Sequence, residues 1–394
     1  MRGRQVTARQ APVRQRVLDI PNSLIREVAN PNLGRDDVIP LWFGESDLTT
    51  PGFIREAAKA ALDAGQTFYG QNEGDPALRQ ALATYLSGLY GRQVATDRIT
   101  VTASGMTAIF LLMETLIDPG DNVVAQTPVW PNCREAVHVM GGETRPLNLE
   151  FAADGWRLDL DRMLDLVDDR TRAIMFNSPS NPTGWIIAEA QLAELVSFCR
   201  ERGIWLIADE VYDRIAYDRH HAPSVVEFAG PEDPVISINS FSKSWCMTGW
   251  RVGWLVAPAR LQPLFGKLIE FTWSCANAFA QRGAIAALGD GEPFIAMQTE
   301  RCRQGRDIVA QRLLARPDVR FALPPGAFYA FFSVAGMTDS LGFTRALIEE
   351  AGVGLAPGPA FGEGGEGWLR LCFANAPEIL TDAMDKLEAA LDRH

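Results

Sequence analysis

Apolar residues recur with helical spacing over Pro51–Ala64, Pro76–Tyr90, Thr107–Ile117 and Ala188–Arg202, and again over Pro293–Ala315 and Glu378–Leu391. Recurrence at i, i+3, i+4 and i+7 lines one face of a helix, so a helix is predicted over each. Between them lie short runs rich in apolar and β-branched residues: Ile99–Thr102, Asn122–Gln126, Ala173–Asn177, Ile204–Ala208, Val235–Asn239 and Val252–Ala257. These are predicted as strands. They read as largely apolar along their length, so both faces must be covered. That requires helices on either side of a mostly parallel α/β sheet. After residue 290 the order becomes helix, strand near Ala327–Ser333, helix, strand near Trp368–Phe373, helix, which reads as a smaller α+β lobe.

A chain of 394 residues exceeds the size at which one core stops growing, so two lobes are expected. The pattern shows no repeat and no long polar linker, and the lobes must therefore share continuous connections. Met1–Arg16 is Arg-rich and apolar-poor, and reads as a frayed arm rather than a targeting segment.

Charge and composition remove several classes of function. A formal net charge of −12 leaves no basic surplus to neutralise phosphates, which argues against a nucleic-acid partner. No run of eighteen apolar residues is present to span a membrane. The six cysteines follow no metal-ligand spacing and there are four histidines, so no metal site is expected and the cysteines read as thiols in a reducing cytoplasm. Lysine is scarce: Lys59, Lys243, Lys267 and Lys386 are the only candidates for amine chemistry.

In open α/β sheets ligands settle beyond the carboxyl ends of the strands. Five polar signatures stand there. Ala103-Ser104-Gly105-Met106-Thr107 opens a helix, where free backbone amides and the helix dipole suit a phosphate. Asn177-Ser178-Pro179-Ser180-Asn181-Pro182-Thr183-Gly184 is a rigid loop that keeps Asn181 out of regular structure. The run Ile204–Ala208 ends in Asp209-Glu210-Val211-Tyr212, and a carboxylate at a buried strand end needs a cationic partner. Val235–Asn239 leads into Ser240-Phe241-Ser242-Lys243-Ser244 and then Gly249-Trp250-Arg251-Val252-Gly253. Lysine is the side chain suited to Schiff-base chemistry, because burial and nearby cations lower its pKa. Finally, Arg370 lies inside an apolar strand, where its fork wants an anion such as a substrate carboxylate.

In their order and spacing these segments resemble the class I/II aminotransferases, the fold-type I enzymes that use pyridoxal 5'-phosphate, from about residue 20 onward. Pro325-Gly326-Ala327-Phe328-Tyr329 resembles another segment of that family. The resemblance implies an arm over residues 1–20, an N-terminal part of the small domain over 21–48, a large cofactor-binding domain over 49–288 with a mostly parallel mixed sheet, and a C-terminal small domain over 289–394. It implies transfer of an amino group from an L-amino acid to a 2-oxo acid, with pyridoxamine phosphate as the intermediate.

The same resemblance assigns roles. Lys243 would form the Schiff base and move the proton, Asp209 would pair with the pyridine nitrogen, and Tyr212 and Asn181 would bond the phenolic oxygen. Trp130 would stack on the ring. Ser104, Gly105, Met106, Ser240, Ser242 and Arg251 would hold the phosphate, together with Tyr69 of a neighbouring subunit, which implies a homodimer. Arg370, Asn181 and the backbone of Gly44 would bind the substrate α-carboxylate.

One departure concerns specificity. Where a branch of aspartate aminotransferases has a lysine that reads the distal carboxylate, this chain has Met106. Glu45 and the apolar residues Phe43, Trp245 and Trp273 are further candidates for the substrate pocket. A C–S β-lyase on the same fold is the alternative reading, but such lyases often carry Asp-Met-Asp-Phe where this chain has Glu45-Ser46-Asp47-Leu48. A transcription regulator built on this fold would need a DNA-binding domain ahead of it, for which about twenty residues do not suffice.

Overall fold

The main sheet of the computed structural model, which describes residues 12–152 and 154–393, has seven strands. In chain order they are β1 (Ile99–Thr102), β2 (Asn122–Thr127), β3 (Glu143–Asn148), β4 (Thr171–Asn177), β5 (Trp205–Asp209), β6 (Val235–Ser240) and β7 (Gly253–Val256). In space the order is β1-β7-β6-β5-β4-β2-β3. Neighbours are parallel except at β7, which runs antiparallel to both β1 and β6. The reason is the link from Ser240 to Gly253, whose residues 241–252 hold only a 3-10 turn at Thr248–Trp250 and no crossover helix. A parallel return needs a crossover of a dozen or more residues, usually helical.

Both faces of the sheet are covered, as the unbroken apolar runs require. Val123, Ala173, Met175 and Ile207 pack with the helices Gly105–Leu116, Pro131–Met140 and Gln262–Thr272. Their chain neighbours Val124, Ile174, Phe176 and Leu206 point the other way, into a core with helix Glu189–Arg202. Strand β3 was not anticipated. It is an edge strand with a largely polar, half-exposed sequence and a proline at position 146, and an edge needs no apolar run. The helices Pro131–Met140, Gln262–Thr272 and Ala278–Asp290 were also missed. The last is rich in alanine and glycine and packs against helix Gly52–Asp63 by close approach rather than by large apolar side chains.

The smaller sheet is antiparallel, with β8 (Val319–Arg320), β9 (Tyr329–Val334), β10 (Ala356–Pro357) and β11 (Trp368–Cys372) in the order β8-β9-β11-β10. The segment before residue 48 is knitted into this lobe. Ile39–Pro40 pairs in parallel with Val353–Gly354, and the amide of Cys372 donates to the carbonyl of Leu41 at 3.0 Å. Much of the expected N-terminal arm, residues 1–11, lies outside the described residues. Its remainder forms a helical turn at Gln15–Leu18, where Arg14 donates to the carbonyl of Val139.

Parallel pairing brings strand ends together. Asn177 of β4 lies in register with Asp209 of β5, and Ser240 and Thr102 both pair with Gly253. Gly253 is where helix Gly105–Leu116 comes closest to the sheet: a Cβ there would meet the Gly105 nitrogen at 2.6 Å and the Ser104 carbonyl carbon at 2.7 Å. Backbone atoms cannot swing aside. Gly253→Ala is therefore expected to lower stability by about 1–3 kcal/mol, as overpacking does, measured as a shift in the urea midpoint; an unchanged midpoint would disprove the tight approach.

Candidate active site

Beyond the carboxyl ends of β4, β5 and β6 lies a cavity of about 500 Å³, closed on the other side by residues of the smaller lobe. Lys243 reaches it from the loop after β6. Its Nζ donates to the carbonyl of Gly44 at 2.6 Å and lies 5.6 Å from the centre of the Tyr212 ring. Burial disfavours the ammonium form and pushes the Lys243 pKa down to about 8.

Asp209 is the last residue of β5 and is buried. Its carboxylate accepts two long bonds, from the Val211 amide at 3.4 Å and from the Cys133 thiol at 4.0 Å. Among the described residues no arginine or lysine forms an ion pair with it, and burial raises its pKa to about 6. The cationic partner that the sequence demanded is not found among the described residues. A carboxylate so placed fits a protonated ring nitrogen.

Arg370, on β11, is fully buried. It donates to Asn181 Oδ1 at 3.1 Å and to the carbonyl of Trp42, and its Nε has no acceptor among the described residues. All its partners are neutral, which leaves a buried positive charge to be balanced. Asn181 is fixed in turn by Asn177, whose Oδ1 accepts from the Asn181 amide at 2.6 Å while its Nδ2 donates to the Asp209 carbonyl. Tyr212 and Tyr329 share a hydrogen bond of 2.6 Å between their hydroxyls, and burial raises the pKa of both.

Gly105, Met106, Ser240, Ser242 and Arg251 line the same cavity. Ser104 does not. Its hydroxyl is occupied as the helix cap, accepting from the Thr107 amide at 3.0 Å, while the Gly105 and Met106 amides have no intrahelical acceptor. Arg251 has φ 55° and donates to the Thr248 carbonyl at 2.7 Å. Helix start, hydroxyls and guanidinium make a cradle with the chemistry for a phosphate dianion.

Trp130 and Gly44 also line the cavity, as does Phe43. Trp245 and Trp273 do not: Trp245 is buried among Phe241 and Trp254, and Trp273 packs against another core cluster. Tyr69 is 90% exposed and stands outside the cavity. Residues that the sequence left without a role, notably Ser23, Ile25, Arg26, Asn132, Asn177 and Tyr329, complete the wall. The first three come from the Leu24–Ala29 helix and its cap, whose short pattern carries no motif.

Residues 36–387 match the profile of the family described as aminotransferase class I and II. The chain belongs to that family. The aspartate aminotransferase of Pyrococcus horikoshii is 34% identical over 96% of this chain and 97% of its own length. A probable N-acetyl-LL-diaminopimelate aminotransferase of Bacillus subtilis is 33% identical over 94% of this chain and 93% of its own. The structure of aspartate aminotransferase from Thermotoga maritima superposes with a TM-score of 0.89 at 33% identity, covering 96% of this chain and all of that one. This aminotransferase thus has the fold-type I architecture, and the lyase alternative gains no support from these relatives. Among the described residues no helix is long and apolar enough to cross a membrane.

The lowered Lys243 pKa has a measurable sign. In protein freed of small molecules, labelling of Lys243 by an amine-acylating reagent is expected to reach half its maximum near pH 8, against about 10.4 for an ordinary lysine. Asp209→Asn removes a charge that favours the ammonium and should move the midpoint lower, whereas Arg370→Gln should move it higher. Mass spectrometry of the labelled peptide across pH decides; shifts of the opposite sign would show that these charges do not act on the amine.

Proposed function

We propose that this aminotransferase binds pyridoxal 5'-phosphate in the cavity at the strand ends, covalently through Lys243, and exchanges amino groups between an amino acid and a 2-oxo acid. One observation carries the reading: a half-buried amine, a buried carboxylate with no ion-pair partner among the described residues, and an anion cradle face a single cavity. The cofactor when bound supplies an electron sink that stabilises negative charge at the substrate Cα.

The remaining work falls to the chain. Asp209 holds a proton on the ring nitrogen, which makes that sink effective and gives the carboxylate the cation it lacks. Ser240, Ser242, Arg251 and the amides of Gly105 and Met106 hold the phosphate, with Ser104 ordering those amides from beneath. Trp130 covers the ring face. Tyr212 and Asn181 bond the phenolic oxygen. Arg370, oriented by Asn181 and the Trp42 carbonyl, grips the substrate α-carboxylate with its fork. Lys243, whose pKa burial lowers to about 8, would be the amine placed to take up and return the proton at the substrate Cα.

The lobes correspond to an arm, a large domain over 49–288 and a small domain formed by 21–48 with 289–394; the pairing of Ile39–Pro40 with Val353–Gly354 supports that division. The enzyme works as a homodimer in which Tyr69, exposed together with Phe68 and Phe271, reaches the phosphate of the second subunit. Six free thiols suit a reducing compartment such as the cytoplasm.

Two substitutions test the roles. Lys243→Ala should abolish the phosphopyridoxyl group that borohydride fixes to the protein; a fixed group of unchanged amount would refute the lysine. Asp209→Ala should retain bound cofactor and lose transfer by about a hundredfold or more, read as the half-reaction rate with a good donor. Near-normal rates would remove Asp209 from the mechanism.

A further inference from the structure

Six charged side chains line the cavity: Arg26, Glu45, Asp209, Lys243, Arg251 and Arg370. Five of them are engaged by the proposed function or by the chain. Lys243 and Asp209 serve the ring, Arg251 the phosphate and Arg370 the α-carboxylate, while Glu45 accepts from the Thr248 hydroxyl at 3.1 Å. Arg26 is left over. Its guanidinium rests on the Phe43 ring, 4.6 Å from the centroid, and among the described residues it forms no ion pair. The adjacent acid, Glu27, is taken by Arg345. A guanidinium held by a neutral ring keeps its five donors for something else.

Its position relative to the other groups is set by one tripeptide. The carbonyl of Trp42 accepts from Arg370, the ring of Phe43 carries Arg26, and the carbonyl of Gly44 accepts from Lys243. Consecutive Cα atoms are about 3.8 Å apart, so two guanidiniums and the reactive amine are mounted side by side on Trp42-Phe43-Gly44. Trp42 is itself locked, with its ring against Gly354, where a Cβ would meet it at 2.1 Å. A substrate whose α-carboxylate lies on Arg370 and whose Cα lies by Lys243 must send its side chain along the remaining wall, which Arg26, Ile25, Phe43 and Met106 help to form. Arg26, itself exposed to solvent, is the one cation among these four residues; Ser23, Asn132 and Glu45 also line the cavity.

We propose that Arg26 binds the distal carboxylate of a dicarboxylic amino acid or 2-oxo acid, and so sets a preference for acidic substrates. The inference rests on the reading of Arg370 and Lys243 given above, and supplies the positive charge that Met106 cannot. A bidentate guanidinium–carboxylate contact gives both attraction and direction.

The test uses the holoenzyme and two readouts. Succinate, which has two carboxylates and no amino group, reports binding without turnover. In Arg26→Gln its Kd is expected to rise about tenfold to a hundredfold, the range for a hydrogen-bonded charge. The kcat/KM for aspartate and glutamate should fall by a similar factor, while that for alanine stays within about twofold. Arg26→Lys keeps the charge without the fork and should recover part of the loss; it also serves if the glutamine variant does not fold. Equal losses for alanine and aspartate, an unchanged succinate Kd, or a wild-type enzyme that prefers neutral donors would each overturn the assignment. Transfer from alanine with none from acidic donors would sink Arg26 alone and leave the aminotransferase reading intact. Absence of transfer from every donor would instead sink that reading, and the succinate measurement still judges Arg26 by itself.

Discussion

Charge kept under cover without a mate is the constraint on which this site depends. Asp209 and Arg370 are both buried, yet among the described residues neither is paired with an opposite charge. A buried ion that is not neutralised costs several kcal/mol, so these residues would be a liability in a purely structural role. The surrounding architecture limits the damage with neutral partners. The Val211 amide serves Asp209, and Asn181 and the Trp42 carbonyl serve Arg370. Such partners orient a charge without quenching it, which keeps it available to a ligand.

The positioning network is built from backbone as much as from side chains. Asn177 ties the end of β4 to the end of β5 and also fixes Asn181, so one amide side chain couples two strands to the residue that steers Arg370. Glu210, next to Asp209, is the contrasting case. It is equally buried, but it accepts from Ser224, Ser237 and the Val225 amide and faces away from the cavity. Two adjacent carboxylates thus have opposite fates: one is satisfied inside the core, and the other is left hungry at its edge.

Much of this could be read from the sequence because the relevant signals are local. Lys243, Asp209 and Asn181 each follow an unbroken apolar run, and parallel strands of α/β sheets deliver whatever follows them to one edge. Arg370 stood out as a charge inside an apolar strand. What escaped notice depends on chain segments distant in sequence. Arg26 sits in a six-residue helix with no motif, and joins the cavity because that helix packs on Ala356–Pro357 and helix Ser340–Ala351, far away in sequence. Ser104 was expected to offer its backbone amide to a phosphate; it lies outside the cavity lining, and its hydroxyl caps the helix, a placement that spacing does not encode. The antiparallel β7 and the polar edge strand β3 were obscured for the same reason: their geometry follows from neighbours rather than from their own residues.

The stitch between residues 39–41 and the C-terminal lobe also bears on how the enzyme is made. During synthesis the first fifty residues leave the ribosome long before the strand around Val353 exists, so Trp42, Phe43 and Gly44 have nothing to dock against. The large sheet has all its strands once residue 256 is translated. A nascent chain of that length already has the strands that bear the lysine and aspartate, while the cavity still lacks its second wall. Catalytic competence arrives late, when the beginning and the end of the polypeptide find each other.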